Sequence, residues 1–159
     1  RYGLVGSEMC IRDRIKVFCD KNLKNILNDG VEDSKTTFNL IDESGEVVWI
    51  ILEDRDFNEL VASAFTTVNA LSQEINNESV MGLIFPVVIE NTDNSNYLDH
   101  NQRHYLIFNE NPPGYYPLVY QNEDRQPIAE IELFDLIKNS GIEFNKDQRK
   151  WFSVDNIPI

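Results

Sequence analysis

Between residues 15 and 29 the apolar side chains Ile15, Phe18, Cys19, Leu23, Ile26 and Leu27 recur at steps of three and four, with Lys and Asp between them. That spacing predicts one buried stripe on a helix, which Gly30 ends. The period then changes: "TTFNLIDESGEVVWIILED" reads as two strands around the hairpin-type turn Glu43-Ser44-Gly45. In the second strand Val47, Trp49 and Ile51 face one side and Val48, Ile50 and Leu52 the other. A strand apolar on both faces is expected at the centre of its sheet.

"DRDFNELVASAFTTVNALSQEI" carries the clearest helical pattern, with Phe57, Leu60, Val61, Ala64, Phe65, Val68, Leu71 and Ile75 on one face. Asp56 is positioned to cap it, with Glu59 three residues on. "VMGLIFPVVIE" is a further strand, whose Pro86 requires an edge or a bulge because proline cannot donate to a ladder. After the polar loop "NTDNSNYLDHNQ", "RHYLIFNE" and "GYYPLVY" are two strands joined through "NPPG". "EDRQPIAEIELFDLIKNSGI" supplies the last helix, with Pro127 in its first turn and Gly141 past its end. Trp151, Phe152 and Ile157 of the closing segment are expected to dock on the core.

The order is α-β-β-α-β-β-β-α, with hairpins in place of long crossovers. It predicts the α+β class: a mainly antiparallel sheet of about five strands with two to three packed helices. At 159 residues the chain is long enough for a core without disulfides or metals, and it shows no repeat and no linker. The expected organisation is one α+β domain over residues 15–159, truncated at its N-terminus. The leader "RYGLVGSEMCIRDR" fits no period and resembles a translated sequencing-adaptor read-through, so residues 1–14 are expected to be a non-native or disordered leader.

Charge changes the picture most. Fourteen Lys and Arg against twenty-seven Asp and Glu give a net charge of −13. Such a surface repels phosphate backbones and anionic headgroups, which disfavours nucleic acid as a partner. Solubility is the plain reading of the acidity, and a basic protein partner the sharper one. Cys10 and Cys19 match no disulfide framework or zinc spacing, and the apolar runs are too short to cross a bilayer. The expected location is therefore the cytoplasm, with no direct membrane insertion.

Candidate chemistry is sparse. His100 and His104 are the two histidines, and with Asp93 or Asp99 they are weak candidates for a metal site; the spacing would align two ligands on a helix, but "YLDHNQRH" lies where a loop becomes a strand. Glu53, Asp54 and Asp56 border a helix N-terminus, where carboxylates serve as caps. No nucleophile motif or phosphate loop is present in the sequence, and no cofactor is expected. Tyr105, Phe108, Tyr115, Tyr116 and Tyr120 crowd into one short stretch, with Trp49 and Trp151 as companions. They are read as sheet packing or as anchors for a partner.

From residue 15 onward the chain resembles the PspA-associated family PspAB. The stretches that carry the likeness are "VVWIILEDRDFNELVASAFTTVNAL", "HYLIFN", "GYYPLV", "DRQPIAEIELFDLI" and "WFSVDNIPI". Tyr116-Pro117 and Arg125 fit the family pattern, whereas Asn111, Pro112 and Pro113 stand where it tends to carry a basic pair and Gly. The resemblance implies an accessory cytoplasmic protein, without known enzymatic activity, that acts with a coiled-coil PspA-like protein in membrane stress and is recruited to the membrane by it. On this reading the partner-binding candidates are Trp49, Tyr105, Tyr115, Tyr116, Pro117, Arg125 and Trp151. The rival readings are a metal-dependent hydrolase using His100 and His104, and a binding module like the secretion chaperones.

Overall fold

A computed structural model describes residues 10–28, 36–43, 47–76 and 79–159. Contacts gather them into two compact units, Arg1–Val80 and Met81–Ile159. The architecture is α+β, with its strands in two antiparallel sheets of two and four strands rather than one sheet of about five.

In the first unit a helical run comprises α1 (Ile11–Phe18), a π-helical turn (Cys19–Leu23) and α2 (Lys24–Asn28). The π turn has a reason in the sequence. Ile15, Cys19, Leu23 and Leu27 are spaced by four, so on a 3.6-residue helix each would drift about 40° from the last. One wider turn cancels that drift, and all four are buried in one cluster with Phe18, Leu71 and Ile75. Burial raises the Cys19 thiol to about 11, so it stays a protonated, small apolar group. The helix begins at Ile11, four residues before the apolar stripe does. Arg12 and Lys16 reach Asp42 of the following strand at 3.3 and 3.0 Å. Residues 1–9 of the expected leader, Gly30, and Ser44 and Gly45 of the hairpin turn lie outside the described residues.

β1 (Thr37–Glu43) pairs antiparallel with β2 (Val47–Glu53). Phe38, Leu40, Val48, Ile50 and Leu52 pack on the helical cluster. β2 is not central, since β1 is its one neighbour among the described residues. Its two-faced apolarity reflects burial of the faces, all six residues from Val47 to Leu52 being half-buried, and lateral pairing is a separate matter. α3 (Phe57–Glu74) is capped as expected: Asp56 accepts from Asn58 N and Glu59 N. The reciprocal bond to the cap's own N–H comes from Asp54, not Glu59. Asp54 also accepts from Thr36 Oγ1, and these bonds hold its carboxyl below the usual range.

The second unit is the sheet β3 (Leu83–Val87), β4 (Arg103–Glu110), β5 (Pro113–Gln121) and β6 (Asp124–Arg125), in that spatial order, with α4 (Pro127–Ile137) against β5. Pro86 is on the edge strand β3, where a missing donor costs least. β5 has nine residues and β6 two, so most of the outer edge of β5 has no strand beside it. Three devices cover it. Tyr115 exchanges backbone bonds with Glu143 O and Asn145 N, at 2.9 and 2.8 Å. Val119 O accepts from Gln126 N, and Val119 N donates to the Glu130 carboxylate. Alternation puts residue 117 on the same outer edge, and Pro117 has no N–H to satisfy there.

Gly114 marks the tightest approach on that edge. Its φ is +143° and an added methyl would stand 2.8 Å from Asn145 N and 3.1 Å from Phe144 C. Gly114→Ala is expected to destabilise the protein by about 1–3 kcal/mol in chemical denaturation. Gly141→Ala, with φ +89° and no atom within 4 Å of the new methyl, is expected to cost less, about 1 kcal/mol. Equal losses at the two positions would mean that the close approach of residues 143–145 contributes nothing.

Candidate functional site

The tyrosines project from β4 and β5 at alternate positions, so Tyr105, Tyr116 and Tyr120 share one face of the sheet. Across that face runs the extended segment from residue 151 to 159. The Tyr105 hydroxyl donates to Ile159 O at 2.9 Å, Tyr116 to Phe152 O at 3.3 Å, and Tyr120 to Val154 O at 2.9 Å. Val154 N donates back to the Tyr120 oxygen at 3.2 Å. A segment without regular structure cannot satisfy its own backbone, and the phenols supply partners that a neighbouring strand would otherwise give. Burial raises Tyr116 to about 12 and also raises Tyr120, so both phenols stay protonated donors at neutral pH.

Trp151, Val154 and Ile157, three residues apart, are the buried side chains of this segment. The Trp151 ring stacks on Tyr116 at 6.4 Å and its Nε1 donates to Asn145 O at 2.8 Å. Phe152 is a correction: it is 58% exposed, because the three-residue step that buries its neighbours turns it outward.

Arg125 and Glu130 tie this face to α4. The guanidinium binds both carboxylate oxygens, at 2.8 and 3.0 Å, and donates to Trp151 O at 2.9 Å. Glu130 is 1% exposed, and its bonds join β5, β6 and α4 at one carboxylate. The guanidinium pKa is raised, chiefly by the Glu130 hydrogen bond. A second carboxylate of α4, Glu132, accepts from the backbone N–H groups of Asn96, Tyr97 and Leu98 at 2.8, 2.8 and 3.1 Å.

The expected binding residues therefore divide. Tyr105, Tyr116, Pro117 and Trp151 are buried. They hold the sheet and its closing segment together, and their side chains lie beneath the surface. Arg125 is half-buried and engaged as above. Tyr115 is half-buried against Phe108 and Phe85, ring centroids 5.0 and 6.2 Å away. Trp49 is in the first unit, half-buried, with Nε1 shielded from water and no acceptor among the described residues. Glu130 and Glu132 went unnoticed in the sequence, where acids on a short helix read as solvated; the signal was Glu130 at the fourth helical position among apolar residues.

His104 is buried on β4 with Nε2 3.2 Å from Gln102 Oε1, while His100 is exposed in the preceding turn. Among the described residues no three His, Cys, Asp or Glu side chains are placed to hold one metal ion. An open hollow of about 300 Å³ lies beside Tyr120, with Arg103, Glu123 and Asp155 in its wall. Arg103 sits 5.9 Å over the Tyr120 ring and donates to Asn122 O.

A family model described as PspAB, PspA associated protein B, matches residues 14–159. No curated protein and no solved structure matches the chain.

Two outcomes follow from these bonds. Glu130→Gln leaves a partly buried guanidinium without its charge partner and is expected to cost about 3 kcal/mol in denaturant unfolding; a loss under 1 kcal/mol would show that the pair does not hold the edge. Burial lowers the pKa of His104 from its ordinary 6.5, with Asp99 opposing and His100 adding to the shift. Above 6.5 the imidazole is neutral folded and unfolded; below it the unfolded chain takes up the proton first, so stability falls as pH falls. His104→Gln is expected to flatten the stability profile just below pH 6.5; a profile as steep as that of the unsubstituted chain would show that His104 is not its source.

Proposed function

The chain belongs to the PspAB family of PspA associated proteins, and from that membership we propose that it is a non-enzymatic accessory protein that binds a PspA-like protein in the membrane-stress response. The observation that carries the reading is the family match over residues 14–159. The fold supports it in kind. The deeply buried ionisable groups of the second unit are spent on structure: Glu130 on Arg125 and Val119 N, and three phenols on main-chain oxygens. The chain as a whole is acidic, at a net −13, which suits a basic face on a protein and opposes direct attachment to anionic lipid. No helix among the described residues is long and apolar enough to cross a membrane. We place the protein in the cytoplasm, reaching the membrane through its partner.

The test is direct association. The purified 159-residue chain mixed with purified PspA is expected to co-elute from a sizing column at about 0.15 M ionic strength, where charges within roughly 8 Å still attract. Separate elution both there and at about 0.05 M salt would overturn the reading.

A further inference from the structure

α4 carries aliphatic side chains on its outer half as well as its inner one, with Glu132 and Asp135 among the outer ones. Ala129 and Leu133 are buried with Val119 and Leu98, yet Ile128, Ile131 and Leu136 of the same helix are 58, 38 and 61% exposed. At about 100° per residue these three span roughly 140° of helix circumference, and they form an outward ridge in which Glu132 and Asp135 are interleaved. Beside the ridge stands Tyr97, itself 55% exposed. Glu132, one turn from both Ile128 and Leu136, fixes it there by accepting from three successive backbone N–H groups, of Asn96, Tyr97 and Leu98. Leu98 is buried against the inner side of the same helix. Helix and loop thus present an aromatic and three aliphatic side chains from a braced support.

We propose that this face, Ile128, Ile131, Leu136 and Tyr97, receives an amphipathic helix of PspA whose apolar stripe is flanked by Lys and Arg; that the partner is PspA rests on the functional reading above. A ridge of side chains at helical spacing is the shape that fits the groove of a second helix. Charge selects a basic occupant. Asp93 and Asp99 are exposed on the loop, Glu123 and Asp124 ahead of the helix, and Asp135 on it. The one basic residue of α4's last turn and cap, Lys138, is paired with Asp135 at 2.9 Å. A second copy of the chain would set these carboxylates against their like, on molecules each carrying −13. A helix with basic flanks meets them with opposite charge.

The experiment is a titration of purified PspA with the full chain and with Ile128→Glu, Leu136→Glu, Tyr97→Ala and a control, Phe57→Glu. Phe57 is 67% exposed at the start of α3, where an acid suits the helix. The two α4 substitutions are expected to weaken binding by about tenfold or more and Tyr97→Ala by about fivefold, as loss of central contacts does. The control is expected to stay within about twofold of the unsubstituted chain. If the unsubstituted chain binds and all four variants bind equally, the docking face lies elsewhere: this proposal falls and the functional reading stands. If the unsubstituted chain does not bind, both fall. If sedimentation shows a dimer that Leu136→Glu dissociates, the occupant is a second copy, and the proposal is overturned. Should a Glu variant fail to fold by circular dichroism, Ile128→Ser and Tyr97→Ala carry the same comparison.

Discussion

A nine-residue strand beside a two-residue one leaves backbone donors and acceptors with nothing to pair with, and the second unit is arranged around that deficit at the outer edge of β5. An uncovered edge either takes on water, and with it the risk of pairing with another chain, or is met by groups from elsewhere. Here each outward position has its own solution: a short parallel bridge at Tyr115, a proline without a donor at 117, and a glutamate at Val119. The last is the most demanding, because burying Glu130 requires the bidentate guanidinium of Arg125. That guanidinium is then at hand for Trp151 O, so the same pair that seals the edge also anchors the start of the closing segment.

The closing segment follows the same logic on the sheet's face. Extended chain lying on apolar rings needs donors, and tyrosine brings both ring and donor in one side chain. Phenols kept protonated by burial are suited to this over the whole neutral range, whereas an imidazole in the same place would change its hydrogen bonding near pH 6.5. Much of the aromatic content of the second unit is thereby used up internally. The exposed side chains on the outer side of α4 are of the opposite kind, aliphatic and acidic.

Sequence patterning revealed the elements well, and for identifiable reasons. The Asp56 cap, the edge placement of Pro86 and Pro127 at the helix start are local chemistry, decided within a few residues. The division of strands into two sheets was not legible, because the both-sided apolarity of β2 shows that its faces are covered without showing how many strands flank it. Nor were the roles of the aromatics. A tyrosine in a strand reads the same whether its hydroxyl meets solvent, a partner or a main-chain oxygen fifty-four residues away, as Tyr105 does at Ile159. Glu130 and Glu132 differ by two positions on one helix, and only the packing shows that the first bridges β5 and Arg125 while the second gathers the loop from Asn96 to Leu98.

The exposed aliphatic ridge and the excess of acid are best understood together. Apolar surface of this kind invites self-association, and net charge far from zero opposes it. A chain at −13 can therefore carry Ile128, Ile131 and Leu136 in water while its copies repel one another. The repulsion acts only on partners of the same sign. A basic helix is attracted by the same charge that repels an identical chain, and at contact aliphatic side chains supply the short-range burial that charge alone does not. In the docking we propose, acidity thus acts as a filter as well as a solubiliser, favouring a basic occupant over an identical chain at these exposed aliphatic side chains.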